Sequence, residues 1–145
     1  TMYPSYLTKA RDMILYFLDK HFGDRRHLVS AYQPLFLEHN PKQFRELFVE
    51  DDFKLDYRIL NAEVRKRGCN IPPLVNAYMN LSPTMLMFGT AINHEFGNVE
   101  ETGILIHVNE LHEDKRKRHI LSFIEERPEY KKRVKGSKVV FAKHK

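Results

Sequence analysis

Two apolar runs near the middle of the chain constrain its fold most: "MLMFGTAI" at residues 85–92 and "GILIHV" at 103–108. Met85, Met87, Gly89 and Ala91 alternate with Leu86, Phe88, Thr90 and Ile92, so apolar groups fall on both sides. That pattern predicts a strand covered on both faces, and "TGILIHV" reads the same way. Gly97-Asn98 in the connection "NHEFGNVEE" can turn, which predicts an antiparallel hairpin with a long loop. Two strands alone make a marginal sheet in water; more strands or covering helices are needed. The outer edges also need partners, and an open edge can pair with another copy of the chain. The hairpin therefore reads as the closing part of a larger α/β domain.

The rest of the chain is helical in pattern. In "YPSYLTKARDMILYFLDKHFG" the residues Ala10, Met13, Ile14, Phe17, Leu18 and Phe22 recur at three and four, the period of one buried face. Lys9, Arg11, Asp12, Asp19 and Lys20 are assigned to the opposite, solvent face. Ser5 is the candidate N-cap, and Gly23 the candidate left-handed terminator. Residues 24–40 read as irregular. Asn40-Pro41 opens a short helix with Phe44, Leu47 and Phe48 on its apolar side. "EDDFKLDYRILNAEVRKRG" has acids first, bases last and a glycine after, an order that complements the helix dipole. "IPPLVNAYMNL" predicts a further short helix with Leu74, Val75 and Tyr78 turned inward. "NELHEDKRKRHILSFIEERP" predicts a final helix packing through Leu111, Ile120, Phe123 and Ile124.

The chain has 145 residues, enough for one domain, and a composition (42% hydrophobic, 30% charged) of a globular protein. Its single cysteine, Cys69, rules out an internal disulfide framework and reads as an ordinary thiol beside a helix end. No apolar run approaches the roughly 18 residues that span a bilayer. The start, "TMYPSY", meets helix signals within five residues and reads as an abrupt edge with no signal peptide before it. The net charge of +5 is uneven. Residues 131–145 hold seven Lys/Arg and no acid, leaving 17 Lys/Arg against 19 Asp/Glu in residues 1–130. This divides the chain into a body at 1–130 and a basic, flexible tail at 131–145. Such a tail can rest on anionic lipid, while a body of charge −2 argues against a nucleic-acid face.

Chemistry-bearing motifs are sparse. There is no nucleophile elbow, Walker loop or dinucleotide fingerprint, so nothing looks made to cradle a phosphate. His94, Glu95, His107, His112 and Glu113 lack the compact spacing of a metal site, and His107 reads as a packed histidine in a strand. The carboxylates Glu95, Glu100 and Glu101 are read as loop residues. One held among apolar groups would have a raised pKa and could take a proton from an amine. Asn80 and Asn93 flank the first strand, as turn residues or as groups that orient a substrate. Most aromatic residues read as core at helical spacing; some could wall an acyl-chain groove.

The segment "IPPLVNAYMNLSPTMLMFGTAINHEFGNVEETGILI" resembles the C-terminal part of bacterial hemolysin-like proteins. These are N-acyltransferases of the GNAT superfamily that acylate amino acids at the start of aminolipid synthesis. Pro72, Pro73, Leu74, Ala77, Tyr78 and the run Asn93 to Phe96 match the pattern of the ornithine-lipid branch. The chain is similar above all to the Bacteroides-type branch, which makes N-acylglycine for glycine lipids. The likeness covers nearly the whole chain and weakens in residues 24–50 and in the tail.

The resemblance implies the C-terminal half of a GNAT-like α/β fold, α+β in this portion. Its elements would be the helix after the fifth strand, a helical insert, the closing antiparallel hairpin and a final helix. It implies transfer of a 3-hydroxyacyl chain from acyl carrier protein or acyl-CoA to the amine of glycine or a similar amino acid. No further cofactor and no metal is implied. It also implies a cytoplasmic enzyme with peripheral contact at the inner membrane. The family's acidic and arginine motifs belong to the N-terminal half and have no counterpart here, so no catalytic residue carries over and the portion alone is expected to be inactive. Asn93, Glu95, Glu100 and Glu101 remain as residues that would line the site. The same sequence also admits a non-enzymatic helical binding module that uses its basic tail on membrane or nucleic acid.

Overall fold

The computed structural model describes residues 2–49 and 51–127, together with the backbone of two short strands near the C-terminus. The fold is α+β. Helix α1 (Thr8–Phe22) is followed by an irregular segment, then α2 (Pro41–Leu47), α3 (Phe53–Lys66) and α4 (Pro73–Met79). Strands β1 (Leu86–Asn93) and β2 (Val99–Leu105) come next, then a 3-10 turn at Val108–Glu110. The helical stretch that ends the described body runs from α5 (Glu113–Arg116) through a π-helical segment (Lys117–Leu121) to α6 (Ser122–Glu126). The backbones of β3 (Val134–Lys135) and β4 (Lys138–Val139) pair antiparallel. Otherwise the basic tail read at 131–145 lies outside the described residues.

Helix α1 is the spine of the core. Ala10, Met13, Ile14, Phe17, Leu18 and Phe22 are all buried, as their spacing predicts. Phe17 meets Phe48 edge-on at 5.7 Å, Phe53 at 5.6 Å and the His21 ring at 4.6 Å, joining α1 to the end of α2 and the start of α3. Asn40 caps α2 by accepting from Lys42 N–H, and Asp52 caps α3 by accepting from Leu55 N–H. Gly68, just after α3, takes φ +72°. These side chains satisfy backbone donors that the first helical turn leaves open.

The ends of α1 differ from expectation. Its N-cap is Leu7, with no side-chain cap, and not Ser5. Gly23 has φ −55°, so it is not a left-handed terminator. Space, not conformation, calls for glycine there: an added Cβ would run into Asp19 O and come within 2.9 Å of Arg25 Cζ. Gly23→Ala is therefore expected to lower stability by about 1–3 kcal/mol, the usual range for overpacking. A thermal melt checks it; an unchanged midpoint would contradict the tight approach.

The hairpin forms as predicted, with corrected limits. β1 and β2 are antiparallel, with Thr90 opposite Thr102 and Ala91 opposite Glu101. A bulge between Met87 and Gly89 shifts the register, and Gly89 accommodates it at φ +105°. Gly97 and Asn98 both take positive φ in the turn. The connection is short, however: β2 starts at Val99, so Glu100 and Glu101 are strand residues and not loop residues. β2 also ends at Leu105, which leaves His107 outside it and exposed. The two faces are unequal. Met87, Thr90 and Glu100 are buried toward α1, whereas Glu101 and Gly103 are exposed on the opposite face.

The outer edge of β1 is met at two points and that of β2 at Glu100. Asp24 N–H donates to Met87 O (2.9 Å) and Leu35 N–H to Thr90 O (2.8 Å), so the segment after α1 covers β1. On the β2 side, Met2 and Glu100 exchange two backbone bonds of 2.8 Å each. Further corrections concern packing. Leu74 and Tyr78 are largely exposed along an open groove, and Met79 is the buried residue of α4. The final helical stretch buries none of its residues, and Phe123 is exposed with Arg127 over its ring.

Candidate functional site

The chemistry of the chain concentrates where α1 crosses the hairpin. Arg11 and Asp12, assigned to solvent by pattern, are 6% and 0% exposed. Arg11 donates from Nη1 to Glu100 Oε1 (2.7 Å), from Nε and Nη2 to Asp12 Oδ1 (2.9 and 2.7 Å), and from Nη2 to Glu38 Oε1 (3.0 Å). Asp12 Oδ2 accepts from the backbone N–H groups of Glu38 and His39, both at 2.9 Å, and lies 2.8 Å from His39 Nδ1. One guanidinium thus holds helix, irregular segment and strand together. Glu100 Oε2 is buried and has no hydrogen-bond partner among the described residues.

The electrostatics follow from this geometry. Burial opposes the charge on Arg11, but the hydrogen bonds to Asp12 and Glu100 outweigh it and hold the guanidinium above its ordinary pKa. Burial likewise acts to raise the Asp12 carboxyl, yet donation from His39 and Arg11 carries it below the usual carboxylate range. Asp24 behaves similarly: desolvation is outweighed by Leu28 N–H and Arg26 N–H, which bond its two oxygens.

A second buried ionic group joins α1 to α3. Asp56 is fully buried, with Oδ2 at 2.6 Å from Lys20 Nζ and 2.9 Å from His21 Nε2. Its Oδ1 has no partner among the described residues. Tyr6 donates to Asn70 O at 2.8 Å, and burial, aided by Cys69, pushes its phenol up to about 12.

The four predicted lining residues separate. Asn93 Oδ1 accepts from the N–H groups of Glu95 and Phe96, both at 3.1 Å, which makes it the organiser of the turn. Asn93 Nδ2 lies 3.3 Å from Glu101 Oε2, so Asn93, Glu95 and Glu101 share the exposed hairpin tip. Glu100 points the other way, into the buried network. Asn80 closes α4 by donating to Asn76 O. His94 bonds Asn98 within the turn, while His107, His112 and Glu113 lie beyond β2. Sequence reasoning missed Arg11, Asp12 and Asp56. The signal available was slight: Arg11 and Asp12 stand between the apolar positions Ala10 and Met13, and Asp56 stands next to Tyr57.

An apolar groove of about 450 Å³ lies between α1, α4 and β2, walled by Leu18 of α1, Val75 and Tyr78 of α4, Met85, and Ile104 of β2 with Ile106 just after it. Among the described residues no helix is long and apolar enough to cross a membrane.

The chain is 64% identical over 141 residues to a protein of Bacteroides thetaiotaomicron named glycine N(alpha)-acyltransferase, a match covering 97% of the chain and 42% of that relative. It is 62% identical over 143 residues to a protein of the same name from Phocaeicola vulgatus, covering 99% of the chain and 44% of the relative. No family model matches it, and no solved structure does. The chain thus spans less than half the length of the curated relatives it matches. Nearly all of this chain is homologous to a portion of the glycine N(alpha)-acyltransferases.

Proposed function

We propose that the chain is the C-terminal part of an N-acyltransferase that moves a 3-hydroxyacyl chain from acyl carrier protein to the amine of glycine. The observation that carries this reading is identity above 60% along nearly the whole chain to relatives named for acylating glycine. Residues 1–130 would belong to a GNAT-like domain, and 131–145 would form a basic tail that meets anionic lipid at the inner membrane, where an acylated product partitions. Acyl-CoA is the alternative donor.

The chemistry sets what such an enzyme must supply. The neutral amine attacks the thioester carbonyl, the tetrahedral intermediate collapses, and the thiolate leaves on the carrier while the nitrogen loses a proton. A base for that proton and donors for the oxyanion are required. The similarity by itself assigns neither role within this chain. Its architectural contribution is twofold: Arg11 and Glu100 fix α1 against β2, and the groove offers an apolar wall of the kind an acyl chain requires. Asn93, Glu95 and Glu101, which share the hairpin tip, would line the acceptor side of the site in this reading.

The test offers the full-length protein a 3-hydroxyacyl-loaded acyl carrier protein with each amino acid in turn, and reads products by mass spectrometry. N-acylglycine is the expected product; no acylated product with any amino acid contradicts the reading.

A further inference from the structure

We infer that His39 is the base of the acyl transfer proposed above, with Asp12 as its positioning residue. His39 Nε2 takes the proton that the amine nitrogen sheds once it has bonded to the thioester carbonyl carbon. The C–S bond then breaks, its electron pair leaves with sulfur, and the imidazolium returns the proton to the thiolate, giving amide and free thiol. The role rests on the N-acyltransferase reading; the geometry stands without it.

Asp12 sets the tautomer. Its carboxyl is fully buried and held below the usual carboxylate range by donation from His39 and Arg11. An ionised carboxylate only accepts hydrogen bonds, so the 2.8 Å contact with Oδ2 places the hydrogen on His39 Nδ1. A neutral imidazole has one N–H, which leaves Nε2 its lone pair. In water the ring favours the opposite tautomer, so Asp12 imposes this one. A carboxylate orienting an imidazole in this way is the arrangement of a base with its supporting group.

The ring is also held still. The backbone N–H of His39 bonds the same Asp12 Oδ2 at 2.9 Å, and the next residue, Asn40, caps α2. Arg11 ties Glu38 to Glu100, so the segment that carries His39 is fixed against β2. The far side of the ring is open. The His39 side chain is 32% exposed, and Nε2 has no hydrogen-bond partner among the described residues. The other buried carboxylate–histidine pair shows the contrast. His21 meets Asp56 through Nε2, and its ring is packed against Phe17, Phe22 and Phe53, as a core histidine is.

The test compares the full-length protein with His39→Asn, whose amide can still donate to Asp12 but has no basic nitrogen. With 3-hydroxyacyl-loaded acyl carrier protein and glycine, kcat is expected to fall by about 10²–10⁴-fold, the usual contribution of a general base, while KM for glycine and the melting temperature hold. A kcat within about threefold of the parent overturns the assignment and leaves His39 as a group that only satisfies Asp12. Nitrogen NMR of the full-length protein reads the tautomer of the neutral ring without any acyl transfer. Hydrogen on Nδ1 is expected, and hydrogen on Nε2 overturns the inference. A parent that acylates no amino acid overturns the N-acyltransferase reading and this role with it, whereas an active parent with an equally active His39→Asn overturns this role alone.

Discussion

Arg11→Met is expected to destabilise the protein by about 3–5 kcal/mol, because removing one partner of a buried ionic group leaves the others uncompensated. Glu100 Oε1 loses its donor at 2.7 Å, and Oε2 has none among the described residues to begin with. Asp12 keeps the two backbone donors and His39, so it is less affected. At this chain length the loss corresponds to a melting temperature lower by about 10–20 °C. Acid dependence separates this from loss of packing. In the parent, the folded Asp12 carboxyl lies below its unfolded value of about 3.9. Its stabilisation is therefore complete above that value and lost as pH falls through the depressed folded one. Without Arg11 the depression is smaller, and the acid limb of stability becomes shallower. Melting temperatures from pH 2 to pH 7 for both proteins check this. Parallel acid limbs would show that Arg11 does not act on Asp12.

Phe17→Ala is the other change of comparable size, at about 3–5 kcal/mol for deleting a fully buried phenylalanine. Phe17 is 0% exposed and touches the rings of Phe48, Phe53 and His21, so the cavity opens where three helical segments meet. Phe53 is itself packed against His21, Phe22 and Tyr57, which limits its collapse into the space. Phe17→Leu keeps most of the volume and is expected to cost clearly less. Denaturant melts of the two variants give the comparison; equal midpoints for Ala and Leu would mean that the site relaxes freely.

What could be read from residues alone was the local part of the fold. The apolar spacing of α1, the Asn40-Pro41 start of α2 and the Gly97-Asn98 turn each act through neighbours a few positions away. Arg11 was misread because its partners are distant: Glu38 lies 27 positions off and Glu100 lies 89. A charge beside an apolar stripe normally faces water, and only partners brought by the tertiary fold make burial tolerable. The same cause displaced the start of β2. A glutamate pair looks like a loop until one member meets a buried guanidinium. Helix α4 misled in the opposite direction. Leu74 and Tyr78 have the spacing of a buried face, yet their partners are not among the described residues, so they line a groove. For the candidate site, the sequence placed Asn93, Glu95 and Glu101 near one another but not the face to which Glu100 turns.

The activity proposed here makes one demand that a binding module does not: acyl transfer must depend on the acceptor amine. The measurement is the release of free thiol from a 3-hydroxyacyl-loaded acyl carrier protein by the full-length protein, with and without glycine. Thiol release that requires glycine, and equals the N-acylglycine formed, is the predicted result. Release indifferent to glycine, or no release at all, would contradict an N-acyltransferase.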